Sequence, residues 1–189
     1  MGQAVLQSEM SGDAFLAWEA LQAERHDFVA GEVFAMAGAE DRHVTVSLNV
    51  AIALRQHLAG TPCRTFIADM KVQAQDAFFY PDVLVSCSEA DRASALVKRE
   101  PKLIVEVLSP STAAYDRGEK FARYRSIAAL EELAFIDLDT RRTDVHRKGS
   151  DGLWVLHPFE AGETVTLASV GLSLSPTVLF AEIDWAPPG

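Results

Sequence analysis

Apolar residues recur along this chain in two rhythms, and the switch between them marks out its elements. Phe15, Leu16, Trp18, Ala20 and Leu21 fall at helical spacing and predict a short helix over 13–23, capped by Asp13. Phe28-Val29 and Val33-Phe34-Ala35 flank Ala30-Gly31, the pattern of a hairpin. From Asp41 to Leu58 the residues Val44, Leu48, Ile52 and Leu58, with Val50 and Leu54 beside them, predict a longer helix.

The middle of the chain turns to strands. Cys63–Ile67, Met70–Ala74, Phe78–Ser86 and Lys102–Leu108 are rich in β-formers and broken by polar, Gly or Pro punctuation. Leu103-Ile104-Val105 and Val107-Leu108 are nearly continuous in apolarity, as in a central strand covered on both faces. Ser109-Pro110-Ser111-Thr112 then closes the strand and caps a helix running to about Arg125. Leu133–Leu138 reads as a further buried strand, and Thr143–Arg147, Trp154–Phe159 and Thr164–Leu167 as an antiparallel continuation. Pro176–Ala181 adds a helical turn. The expected fold class is α/β, a mixed sheet flanked by helices.

No repeat or Gly/Ser/Pro linker interrupts this order, so 13–185 is expected as one domain, with a loose leader at 1–12 and a tail at 186–189. At 189 residues with 49% hydrophobic content, the chain can bury a core without disulfides or a structural metal. Cys63 and Cys87 lack metal-ligand spacing and are expected as buried thiols. The N-terminal stretch lacks a secretory pattern, and no apolar run reaches the roughly 18 residues of a membrane span. The cytoplasm is the expected compartment. The net charge of −10 excludes a protein that coats nucleic acid through a global positive field. Any polyanion must meet a local basic patch or a metal-neutralised site.

Two acids interrupt otherwise apolar strands: Asp82 within Phe78–Val85, and Glu106 within Leu103–Leu108. An unpaired carboxylate there costs several kcal/mol or takes up a proton. A hard divalent cation between the two removes the conflict, and Mg²⁺ characteristically uses one or two carboxylates plus water and phosphate. The alternative is that each acid ends its strand and meets solvent or an arginine. Asp116 and Lys120, four apart on the next helix, form either a surface ion pair or a device that brings Lys120 over the strand ends as a point charge.

Tyr80-Pro81-Asp82-Val83, the block Leu103–Thr112 and the block Tyr115–Tyr124 together resemble the Uma2 family of endonucleases, in the restriction-endonuclease-like PD-(D/E)xK superfamily. Phe28–Ala39, with His43 soon after, is similar to that family's N-terminal motif. The likeness spans about 13–180. It implies that Asp82 and Glu106 bind Mg²⁺ (or Mn²⁺), and that the catalytic lysine has moved into the following helix, since Leu108 stands where the motif places it. Lys120 is then the candidate. Glu32 matches an N-terminal acid of such sites, or is a solvated hairpin charge. His43 contacts phosphate, orients Glu32, or is an ordinary histidine near a helix start.

The implied activity is metal-dependent hydrolysis of nucleic-acid phosphodiesters, DNA before RNA. Arg117, Arg123, Arg125, Arg141, Arg142, Arg147 and Lys148 form either a phosphate-contacting face or a solvated surface. A nuclease that cuts both strands commonly works as a two-fold homodimer, for which Trp154, Trp185 and the C-terminal apolar segments are candidate contacts. The competing classes are a catalytically silent binding module on the same fold and a glycosidase using Asp82 and Glu106 as acid and base.

Overall fold

The structure, a computed structural model, describes residues 4–7, 10–36, 38–110 and 112–185. The elements in chain order are β1 (Ala4–Gln7), α1 (Gly12–Glu19), β2 (His26–Val29), β3 (Glu32–Ala35), α2 (Asp41–His57), β4 (Arg64–Ile67), β5 (Lys71–Ala74), β6 (Ala77–Phe79), β7 (Val83–Ser86), α3 (Glu89–Ala93), β8 (Val97–Lys98) and β9 (Pro101–Leu108). There follow α4 (Ala113–Tyr115), a π turn (Asp116–Lys120), α5 (Phe121–Tyr124), β10 (Glu132–Asp137), β11 (Thr143–Lys148), β12 (Trp154–Phe159), β13 (Val165–Leu167), β14 (Leu172–Leu174) and α6 (Pro176–Leu179).

Among the described residues these strands build two six-stranded sheets, ordered β1-β3-β2-β6-β5-β8 and β12-β11-β10-β9-β7-β4, plus the small β13-β14 hairpin. The alternation of side chains across each strand sorts the core into layers. Helix α1 lays Phe15 against Phe28, Val33 and Phe78 on the outer face of the first sheet. Val29, Phe34, Val72 and Phe79 on its other face meet Leu84, Ile104 and Phe135 of the second sheet. The far face of the second sheet, with Val83, Val85, Leu103, Val105 and Val107, packs on Val46, Val50 and Leu54 of α2. Both faces of β9 are therefore covered, and its neighbours are parallel β10 and antiparallel β7. The apolar continuity of Leu103–Leu108 reflects that position.

The α/β expectation holds, with local corrections. Ser11, not Asp13, caps α1, its side chain accepting from the Ala14 N–H at 3.2 Å. Phe78–Ser86 is not one strand. It breaks after Phe79, so β6 belongs to the first sheet and β7 to the second, and Tyr80-Pro81-Asp82 is the crossing between them. Residues 4–7, read as leader, pair with β3 as an edge strand, while 186–189 lie outside the described residues. The β2-β3 hairpin turns through Ala30 (φ 49°) and Gly31 (φ 95°), the positive angles that a two-residue turn requires.

Two corrections are larger. Helix α2 buries Val46, Val50, Ala51, Leu54 and Leu58, whereas Val44, Leu48 and Ile52 are exposed. The helix carries two apolar stripes, and the sheet takes the one rich in valine. Cys63 and Cys87 are not free thiols but a disulfide. They sit one register step beyond the Arg64↔Ser86 pair of β4 and β7, where cross-strand neighbours approach closely. Among the described residues no helix is long and apolar enough to cross a membrane.

The disulfide closes a loop spanning 24 positions, for which chain-entropy arguments give about 3 kcal/mol. Reduction, or the Cys63→Ser/Cys87→Ser double variant, is expected to lower the denaturant midpoint accordingly, with a larger m-value as the denatured chain expands. Equal midpoints for oxidised and reduced protein would contradict this.

Candidate active site

The space between the two sheets holds the charged groups. On β9, residues 104, 106 and 108 point away from α2, so Glu106 enters this layer among Ile104 and Leu108. It keeps only 3% exposure. Lys120 Nζ lies 2.8 Å from its Oε1, and the Tyr124 hydroxyl donates to the same oxygen at 2.8 Å. Both partners arrive on the helical segment that follows β9. Its π turn places Asp116 and Lys120 inward, each 6% exposed, with Lys120 Nζ 3.5 Å from Asp116 Oδ1. Single π turns inside helices recur at functional sites. The Asp116–Lys120 pair is thus buried rather than on the surface.

Asp82 stands at the lip of β7. The register Val83↔Val105 continues one step to set it beside Glu106. Its Oδ2 accepts from the Val107 N–H at 2.7 Å and lies 3.3 Å from His43 Nε2. His43 comes from the first turn of α2, so the crossing between the sheets, the central strand and α2 meet at this carboxylate.

A further acid completes the cluster. Asp27 of β2 shares a sheet face with Val29 and Phe34, its register partner, and this face looks toward β9. Although Asp27 as a residue retains some exposure, its Oδ1 is sealed from solvent without a hydrogen-bond partner, as is the Tyr115 hydroxyl. Sequence reasoning passed over Asp27. The signal was present in weaker form, as an acid beside Phe28-Val29 in a strand of four residues.

The electrostatics follow from burial. Desolvation raises the Glu106 carboxyl to about 8, with Lys120 working against the shift and Asp82 and Asp116 adding to it. Desolvation likewise lifts Asp27 to about 6, opposed by Lys120. For Lys120 burial disfavours the charge, yet Glu106, Asp27 and Asp116 outweigh it and hold the ammonium above the usual lysine range. Tyr124 is raised by burial and then by Glu106, so it remains a donor. Burial alone would lower His43, but the bond to Asp82, that residue's charge and the Val107 backbone raise it. Asp27, Glu106 and Asp116 thus crowd one ammonium, and Glu106, raised above neutrality, keeps its proton much of the time at pH 7.

Of the expected residues, Asp82, Glu106, Lys120 and His43 come together. Glu32 lies exposed at the turn end of β3, and among the described residues it makes no hydrogen bond or ion pair with the others. Arg117 points elsewhere, to Asp137 at 3.5 Å and Asp144 at 3.2 Å. Three other basic residues of the second half are likewise paired with acids. Arg123 pairs with Asp76 and Glu119, Arg142 with Asp144 and Glu160, and Arg147 with Glu132. Arg141 covers the Trp185 ring at 4.1 Å.

The carboxylate-and-lysine cluster on a mixed sheet is the kind of site that restriction-endonuclease-like proteins carry. Residues 13–178 match the Uma2 family, described as "Putative restriction endonuclease", and the chain belongs to that family. Two uncharacterized proteins of Synechocystis sp. are similar. One, slr1290, is 34% identical over 91% of this chain and 92% of its own length. The other, sll1609, is 32% identical over 75% and 82%. A solved structure from Anabaena variabilis, described as "a putative nuclease belonging to DUF820", superposes with a TM-score of 0.74. It covers 91% of this chain and 98% of that one at 17% identity, and so shares the fold.

Because folding raises the Asp27 carboxyl from 3.8 to about 6, its contribution to stability is full below about pH 4 and is lost as pH rises to about 6. In chelator-treated protein, Asp27→Asn is expected to flatten this part of the stability profile. It should add about 1–3 kcal/mol at pH 7 relative to wild type, by the worth of a pKa unit. Urea titrations of both proteins from pH 4 to 8 measure it. Parallel profiles would show that the Asp27 carboxyl is not held in a desolvated site.

Proposed function

We propose that this chain is a divalent-metal-dependent endonuclease that hydrolyses phosphodiester bonds, in DNA before RNA. The observation that carries the reading is Lys120 buried against Glu106, with Asp82 beside Glu106 at the lip of the adjacent strand.

The residues suit a metal. Buried Glu106 and Asp116 and half-buried Asp27 face one lysine, and Asp27 offers an unpartnered sealed oxygen. Among the described residues no group of three or more His, Cys, Asp or Glu forms a ready-made cage. Mg²⁺ needs only one or two carboxylates, because it keeps waters and shares its remaining positions with substrate phosphate. Asp82 and Glu106 would hold the ion. When bound it would polarise the phosphoryl oxygen, acidify water and stabilise the developing charge.

The chain's own groups have separate tasks. Val107 N–H and His43 fix the Asp82 carboxylate, and Tyr124 fixes Glu106 Oε1. Lys120 holds a permanent positive charge where the reaction accumulates negative charge. Its three acidic neighbours keep it protonated, so it stabilises charge rather than abstracting a proton. The two sheets exclude water from Glu106, which strengthens each of these interactions. A catalytically silent module draws support from a different observation, the pairing of the second-half arginines with acids.

Single-stranded, duplex and branched DNA should be incubated with Mg²⁺ or Mn²⁺ and wild type, Asp82→Ala or Lys120→Ala. Wild type is expected to cut in a chelator-sensitive manner, and both variants to lose at least about a hundredfold in rate, the usual scale for removing an electrostatic stabiliser. Cutting that survives in both variants would refute the site. Metal binding that needs Asp82, without cleavage of any substrate, would favour the silent module.

A further inference from the structure

We propose that the outer face of α2 is a self-association surface, pairing two copies of this chain antiparallel about a two-fold axis at Leu48. This inference rests on nothing in the nuclease reading.

The helix α2 turns one side to the second sheet and leaves Val44, Leu48 and Ile52 at 53%, 46% and 46% exposure. At about 100° per residue these three fall with Asp41 and Arg55 inside an arc of roughly 80°. The stripe lies opposite the buried Val46 and Val50. Three large aliphatic side chains in line on an exposed helix face are a contact surface looking for a cover.

Their order along the helix identifies the cover. Asp41 lies seven residues before Leu48 and Arg55 seven after, while Val44 lies four before and Ile52 four after. The stripe therefore reads acid, apolar, apolar, apolar, base and is complementary to itself when reversed. A two-fold axis at Leu48 sets Leu48 on Leu48, Val44 on the other copy's Ile52, and Asp41 on the other copy's Arg55 at both ends. This is the self-complementarity that an isologous interface demands, and it also opposes the two helix dipoles favourably.

Two further exposed apolar residues lie on elements beside the helix. Ile67 of β4 is 48% exposed and Val178 of α6 is 45% exposed, and both elements pack against α2. Ile67 pairs with Val83 and so lies on the same sheet face as the helix. These additions matter because a stable interface needs about 1,000 Å² or more, beyond what three side chains supply. An anionic membrane surface is a poor occupant for a chain of net charge −10. Trp154 and Trp185, the contacts expected from sequence, are half-buried within the chain, against Phe121 and against Phe180 with Arg141.

Sedimentation velocity on the full chain tests the proposal. Wild type is expected to sediment as twice 20.6 kDa, and Leu48→Glu as a monomer with unchanged circular dichroism. Asp41→Arg or Arg55→Asp alone should each weaken the dimer by about tenfold or more in Kd, and the two together should restore it to within about threefold. Should Leu48→Glu fail to fold, the exposed charge pair carries the test alone. A wild-type monomer at about 100 μM, a dimer indifferent to Leu48→Glu, or no rescue in the double reversal would each overturn it.

Discussion

A carboxylate buried between two sheets has to be answered by something positive, and in this protein that demand organises the interior. Glu106 lies on the strand with the most complete cover, where desolvation pushes its carboxyl far up. Lys120 and Tyr124 reach it from one helical segment, bent inward by a π turn, and Asp82 reaches its strand from the crossing between the sheets. Asp27 and Asp116 add negative charge, so one lysine does not balance the group. Charges placed this way weaken a fold unless they serve something. The site is where stability has been given up.

Parts of this were legible in the residues because they break a local rule. An acid inside Leu103–Leu108 contradicts the apolar pattern around it, and so does Asp82 after Phe78-Phe79-Tyr80. Lys120 was readable only together with the family likeness, since four-residue spacing from Asp116 describes countless surface pairs. Asp27 stayed hidden because its strand is short, and its significance lies in the opposite sheet, which no local pattern encodes. The same limit applies to α2. Two stripes of it are apolar, and which one faces the sheet is decided by the valine-rich surface it meets. The disulfide needed the β4–β7 register before two distant cysteines could be seen as neighbours.

The arginines of the second half show a related effect. Their number allowed either a phosphate-contacting face or a solvated surface, and most are spent on nearby acids within the same molecule. Their role is to neutralise the strands and turns around β10 and β11, and a polyanion approaching that surface would meet a nearly balanced one. The buried cluster is itself acidic, with one lysine among its carboxyls, and would accept a phosphate only with a cation bound there. This favours recognition by fit at the site over capture by a long-range field.

The placing of the disulfide has a consequence for how the molecule opens. Strand β4 is the edge of the second sheet, hydrogen-bonded on one side only, and edges are where sheets ordinarily fray. Here that edge is stitched covalently to β7, the strand that follows Asp82. Peeling must therefore start at the opposite margin, β12, whose Val155 and Leu156 are already turned to water. Within this sheet, fluctuation is directed to the end farthest from Asp82 and Glu106.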